Sequence, residues 1–188
     1  ADEQDFESSV GLARLAQKMS SIWQYRFSAP ERSSLTQETL ADWVDAAVSY
    51  DTGVTRLTPA TGHTAHINVV DATGITVALT LSQGPKWFGA RWVIPETGVL
   101  MNNGMHLFRW ERPVVRRGLH YALTNLAPVV AVESGGARVA AGAPGARRIP
   151  SNVALALGRH ILNGMDLDQA VAAGRVHAED ALVSAYES

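Results

Sequence analysis

The chain has 188 residues, 46% of them hydrophobic and 18% charged, enough for one domain with a substantial core. Its formal net charge of −2 argues against nucleic acid as a main partner, and no run reaches the roughly 18 consecutive apolar residues of a membrane helix. Without cysteine, neither a disulfide framework nor a thiolate metal site can form.

In chain order, Phe6 to Trp23 predicts an amphipathic helix, with Leu12, Leu15, Ala16, Met19, Ile22 and Trp23 at i, i+3, i+4 spacing. Ser28-Ala29-Pro30 ends it. Thr36 caps a second helix that carries Leu40, Trp43, Val44 and Ala47 on one face. Asp51 to His63 is a turn-rich linker. From Thr64 to Val132 the pattern changes to strands and turns. A strand runs from Thr64 to Asp71, a turn follows at Asp71-Ala72-Thr73-Gly74, and a second strand covers Ile75 to Leu81. Val129–Val132 and Ala137–Ala141 are further strands, joined across Ser134-Gly135-Gly136, a hairpin signal and not a phosphate loop. After Pro144-Gly145 a helix starts near Pro150 or Ser151 and runs to Leu162, with Val153, Ala154, Leu157 and Ile161 on its apolar face. A shorter helix spans Asp166 to Ala173. Helices, then antiparallel strands, then helices predict an α+β fold.

Thr64 is the residue with the most chemistry at stake. A threonine that opens a buried strand after a cleavable loop fits an N-terminal nucleophile, whose own α-amine, freed by cleavage, serves as general base. Such a site needs no histidine or aspartate partner. Taken alone the signal is weak, because β-branched threonine starts many strands. Four further stretches strengthen it: Thr64-Ala65-His66-Ile67-Asn68-Val69-Val70-Asp71; Phe88-Gly89 followed by Gly98-Val99-Leu100-Met101-Asn102-Asn103; Thr124-Asn125-Leu126-Ala127-Pro128; and Ala143-Pro144-Gly145-Ala146-Arg147-Arg148-Ile149.

In this order, over Thr64 to Ile149, these motifs resemble the gamma-glutamyltransferase family of N-terminal nucleophile hydrolases. That family has Thr-Thr-His-Tyr-Ser-Val-Val-Asp at the start of its small subunit, then Phe-Gly, Gly-Ile-Leu-Leu-Asn-Asn, Ser-Ser-Met-Ser-Pro and Ser-Pro-Gly-Gly-Ser-Arg-Ile. The resemblance implies a four-layer αββα sandwich, completed by a second polypeptide or large subunit. It divides the chain into a helical segment and linker, 1–63, and a small-subunit-like catalytic part, 64–188. It implies acyl transfer from a small-molecule donor, with no cofactor and no metal.

The same resemblance assigns roles. Thr64 is the nucleophile and also cuts the chain by attacking the His63 carbonyl. Ser82, eighteen residues later, stands where the family has a threonine that orients the nucleophile's amine. Phe88-Gly89 is displaced by one residue, so this role can instead fall on Gln83. Gly145 and Ala146 take the place of a Gly-Gly pair whose N–H groups form an oxyanion hole; alanine still offers an N–H. Asn103, Leu107, Thr124 and Asn125 fall in the substrate-binding motifs. Thr124 and Asn125 replace serines that hold the donor's α-carboxylate, and both can donate hydrogen bonds. Leu107 stands where the family has an aspartate paired with the donor's α-amino group, so the donor here is non-standard.

Two alternatives stay open: a non-catalytic binding or structural subunit that keeps the fold, and a biosynthetic hydrolase that cleaves a C–C or amide bond next to a carbonyl. His63, His66, His106, His120, His160 and His177 show no metal-ligand spacing. His120 and Tyr121 read as strand packing, Trp87, Trp92 and Trp110 as core, and Arg116-Arg117 and Arg147-Arg148 as solvated. The acidic Ala1-Asp2-Glu3-Gln4-Asp5 lacks a signal-peptide pattern, though a processed chain would have lost one, so the compartment stays open between cytoplasm and periplasm or secretion.

Overall fold

The computed structural model describes residues 8–28, 42, 45–46, 62–85, 88–104, 124–132, 134, 136, 138–179 and 182–186. These form two compact units, residues 59–153 and residues 1–58 with 154–188. Helices and antiparallel strands occur together, as an α+β fold requires. No described helix is long and apolar enough to cross a membrane.

The unit of residues 59–153 is built on two hairpins. β1 (Gly62–Val70) pairs antiparallel with β2 (Thr76–Pro85). The turn between them is set by Asp71, whose Oδ1 accepts from the Thr73 N–H at 2.8 Å, the Thr73 hydroxyl at 2.7 Å and the Ile75 N–H at 2.9 Å. These bonds, the Thr73 hydroxyl foremost, hold the Asp71 carboxyl below its ordinary pKa. β3 (Val129–Val132) pairs antiparallel with β4 (Arg138–Ala141), the hairpin that Ser134-Gly135-Gly136 signals. β2 packs against both β3 and β4. A 3-10 turn, Ala146–Arg148, leads from β4 to helix α2 (Ile149–Ile161) and lies against β1.

The β1–β2 hairpin departs from the expected buried strand. Its alternation puts Ile67 and Val69 opposite Leu79 and Val77 on one face, and these four side chains are between 45% and 53% exposed. The other face carries Thr64, His66 and Asn68 opposite Ser82, Thr80 and Ala78, and Thr80 is buried. Within the described residues the polar face is the covered one. The covering backbone of β4 offers hydrogen-bonding groups that only polar side chains can use.

The second unit holds α1 (Ser9–Ser28), the remainder of α2, α3 (Leu167–Ala172), and a hairpin of β5 (Arg175–Glu179) and β6 (Leu182–Tyr186). Ser8 caps α1, its hydroxyl accepting from the Gly11 N–H at 3.0 Å. Ala16 and Met19 of α1 join Leu155 of α2 and Ala178 of β5 in a core, with Leu12, Leu15 and Val176 packed around it. Leu155 is fully buried, a contribution of about 1.5–3 kcal/mol. Trp23 meets His177 edge-on, ring centroids 6.2 Å apart.

Along α2 the buried residues are Ile149, Ser151, Val153, Leu155 and Arg159, while Ala154 and Ile161 are exposed. The expected face is therefore corrected. Arg159 belongs to the buried stripe because its guanidinium donates to the Gly174 carbonyl at 2.7 Å and to the Ala173 carbonyl at 3.5 Å, satisfying the end of α3. Ser151 belongs because its hydroxyl donates to the Arg148 carbonyl at 3.0 Å. Trp92, expected in the core, is 59% exposed on the loop after Gly89. Of the second expected helix only Asp42, Asp45 and Ala46 are described, and all three are helical. Leu107, His106, His120, Tyr121, Trp87, Trp110, Arg116 and Arg117 lie outside the described residues.

Candidate active site

Thr64 is the third residue of β1, so the strand begins before it and runs through the His63–Thr64 peptide. Pairing is irregular at this bond: His63 opposes Gly84 and Thr64 opposes Ser82, leaving Gln83 as the extra residue of a bulge. The bulge keeps Ser82, and not Gln83, opposite Thr64.

The bulge gathers hydrogen bonds around one hydroxyl. Thr64 Oγ1 donates to Ser82 Oγ at 3.1 Å. Ser82 Oγ donates to the His63 carbonyl at 3.2 Å and accepts from the Gly84 N–H at 3.2 Å. Ser82 therefore touches both the hydroxyl of Thr64 and the carbonyl of the peptide that precedes it. The His63 ring rests edge-on against Phe88, centroids 5.6 Å apart.

Asn103 closes one side of the bulge. Its N–H donates to the Gln83 carbonyl at 3.2 Å, and its side chain lies against Gly84, where a β-carbon would collide with it. Gly84, at φ 90°, is thus required twice, by conformation and by close approach. Thr124 and Asn125 sit on the segment that enters β3, exposed and half-buried respectively, and the Thr124 hydroxyl accepts from the Leu126 N–H at 3.1 Å.

Gly145 and Ala146 precede and open the 3-10 turn that lies against β1. Gly145 has φ 132°, and Ala146 sits at φ 53°, the left-handed region that disfavours alanine. Their carbonyls are used, Gly145 by the Arg148 N–H and Ala146 by the Ile149 N–H. Neither of their own N–H groups donates to a protein acceptor among the described residues.

The structure thus brings Thr64, Ser82 and Asn103 to one bulge and sets the turn opened by Ala146 beside the strand of Thr64. It gives Leu107 no described place. Three features escape sequence reading: the bulge at Gln83, the packing of Phe88 on His63, and a polar network around His66. The network had a signal, since Thr64, His66 and Asn68 recur at period two beside Thr80 and Ser82.

Residues 13–187 match the model of the gamma-glutamyltranspeptidase family. The acylase ACY 1 proenzyme of Pseudomonas sp. (strain SE83) is 35% identical over 130 residues, covering 66% of this chain and 23% of that protein. The glutathione hydrolase proenzyme of Pseudomonas sp. (strain A14) is 29% identical over 130 residues, covering 62% of this chain and 22% of that protein. Among solved structures, gamma-glutamyltranspeptidase from Pseudomonas nitroreducens complexed with L-DON superposes with a TM-score of 0.51 at 26% identity, covering 61% of this chain and 65% of that one. The chain spans less than a quarter of the length of these two relatives.

Proposed function

The chain belongs to the gamma-glutamyltranspeptidase family, and we propose that it carries the nucleophile of a self-processing amide hydrolase or acyltransferase with a non-standard acyl donor. The observation that carries this reading is the Thr64–Ser82–His63 contact. In the uncut chain, Thr64 Oγ1 attacks the His63 carbonyl carbon. Its proton passes to Ser82 Oγ as Ser82 gives its own to the His63 oxygen, along the two hydrogen bonds already made. Collapse of the adduct moves the proton from its new hydroxyl to the Thr64 nitrogen as the C–N bond breaks, which frees the Thr64 amine and leaves the His63 acyl group as an ester on Oγ1. Water then hydrolyses that ester, parting the chain after His63 and restoring the Thr64 hydroxyl. That amine is then the general base for each turnover. In turnover Thr64 attacks the donor's acyl carbon, the N–H groups of Gly145 and Ala146 hold the oxyanion, and water or an amine resolves the ester. Both Pseudomonas relatives are named as proenzymes, which supports self-processing.

A second polypeptide or large subunit completes the sandwich in this reading. The exposed apolar face of β1 and β2 supports it. The retained Thr64–Ser82 pair favours an enzyme over a non-catalytic subunit.

Leu107 sets the donor. An ammonium placed against leucine loses its ionic partner without regaining water, a penalty on the order of 3–5 kcal/mol in a closed pocket. The preferred donor lacks the charged α-amine, and glutaryl is γ-glutamyl without it. The test compares glutaryl and γ-glutamyl p-nitroanilides on the full-length protein. The glutaryl compound is expected to be the better substrate by about a hundredfold in kcat/KM, the equivalent of roughly 3 kcal/mol. Leu107→Asp should raise γ-glutamyl turnover, and Thr64→Ala should abolish both activities. Efficient wild-type turnover of γ-glutamyl anilide, unchanged by Leu107→Asp, would refute the donor assignment.

A further inference from the structure

The chemistry above leaves His66 unused, although it shares a face of β1 with Thr64 and lies two residues from it. Its tautomer follows from its neighbours. Asn68 Nδ2 donates to the Ala140 carbonyl at 3.0 Å, which turns Asn68 Oδ1 toward the ring, 2.7 Å from His66 Nε2. An amide oxygen only accepts, so Nε2 carries the proton. Nδ1, 2.8 Å from Thr80 Oγ1, is then the acceptor for the buried Thr80 hydroxyl. The bonds run in one direction, from Thr80 through His66 and Asn68 to Ala140. The ring also fills the space beside Gly142, where a β-carbon would collide with Cε1, Nδ1 and Cγ of His66.

Ala140 and Gly142 flank the last residue of β4, and the chain reaches Gly145 and Ala146 three and four residues after Gly142. One end of the network is therefore fixed to the strand of the nucleophile. The other is fixed where the segment bearing the N–H donors leaves β4.

We propose that His66 is a positioning residue: with Thr80 and Asn68 it sets the spacing between Thr64 and the Gly145–Ala146 N–H groups. The proposal rests on the reading of Thr64 as nucleophile. A misplacement of about 1 Å in such an arrangement costs on the order of 10²-fold in rate. The loss should fall on self-cleavage and kcat, since the network holds reacting groups and not the remote parts of a donor.

The test uses Asn68→Ala in the full-length protein. Asn68 is exposed, and its removal severs the link to Ala140 without opening the core. Self-cleavage is followed by intact mass, and turnover by release of p-nitroaniline from glutaryl p-nitroanilide. Long-range proton–nitrogen NMR of the His66 ring reads the tautomer in the uncut Thr64→Ala chain. Cleavage and kcat are expected to fall about ten- to a hundredfold with KM within about twofold, and the ring to carry its proton on Nε2. Wild-type rates in Asn68→Ala, with the wild type active, would overturn the positioning role alone. A ring protonated on Nδ1 would do the same, and it remains readable if Asn68→Ala does not fold. A wild-type protein that neither cleaves nor turns over the donor would overturn the nucleophile reading and this role with it.

Discussion

Replacing Ser82 by alanine separates the two things its hydroxyl does. Ser82 Oγ makes three hydrogen bonds, of 3.1, 3.2 and 3.2 Å. Two of them, from the Thr64 hydroxyl and from the Gly84 N–H, can be replaced by water at this half-buried position, and that water can also take the Thr64 proton. Their loss lowers stability by about 0.5–1.5 kcal/mol each at most. The third is different, because the His63 carbonyl gains negative charge as Thr64 attacks it. A donor of that kind contributes ~2.7–4 kcal/mol to the transition state, or roughly 10²–10³ in rate. At 3.2 Å, the bond belongs at the lower end of that range. Ser82→Ala should therefore remain folded and cut itself about a hundredfold more slowly. Ser82→Thr, which keeps a hydroxyl, should cut within about tenfold of wild type. The assay is a time course of intact mass after rapid purification, with a urea titration of the same samples to read stability. Cleavage of Ser82→Ala within about threefold of wild type would refute the argument, since no donor of this class is worth so little.

Two further outcomes follow from the backbone and from charge. Ala146→Gly relieves a left-handed residue that costs alanine roughly 1–2 kcal/mol, offset by about 0.4–1 kcal/mol of unfolded-state entropy, so the urea midpoint should rise for a net gain of up to about 1.6 kcal/mol. Asp71 has its folded pKa lowered, chiefly by the Thr73 hydroxyl. Its contribution is thus complete above the ordinary aspartate pKa and is lost as pH falls through the lower folded value. The urea midpoint of the wild type should fall more steeply on acidification than that of Asp71→Asn, and parallel pH profiles would exclude the role of this turn.

The sequence carried the hairpins well because their signals are local. Asp71 to Gly74 and Ser134 to Gly136 are turn chemistry; the strands around the first alternate, and those around the second are short β-branched and apolar runs. It did not carry which face of β1 is covered. Alternation fixes that Ile67 and Val69 lie together, and hydropathy assigns them to the interior, but Asn68 finds its partner on β4, and His66 packs beside Gly142 just past β4, both seventy-odd residues away. The apolar face of α2 was misread for a related reason, since Ser151 and Arg159 are buried through bonds to carbonyls that hydropathy does not count. β5 and β6 went unread, because a five-residue pair with long-range packing on α1 has little local signature. At the site, the order of motifs pointed to Thr64, Ser82 and Asn103, three residues that the structure brings to one bulge. The bulge at Gln83 had no local signal, because it is set by the pairing of two strands.

The most direct measurement is the N-terminal sequence and intact mass of the wild-type protein after expression and incubation, beside Thr64→Ala. The account predicts a break between His63 and Thr64, a new chain beginning at Thr64, and an uncut Thr64→Ala. A wild-type protein that turns over an acyl donor while its chain stays whole at this bond, or a Thr64→Ala protein cut there equally fast, would contradict it.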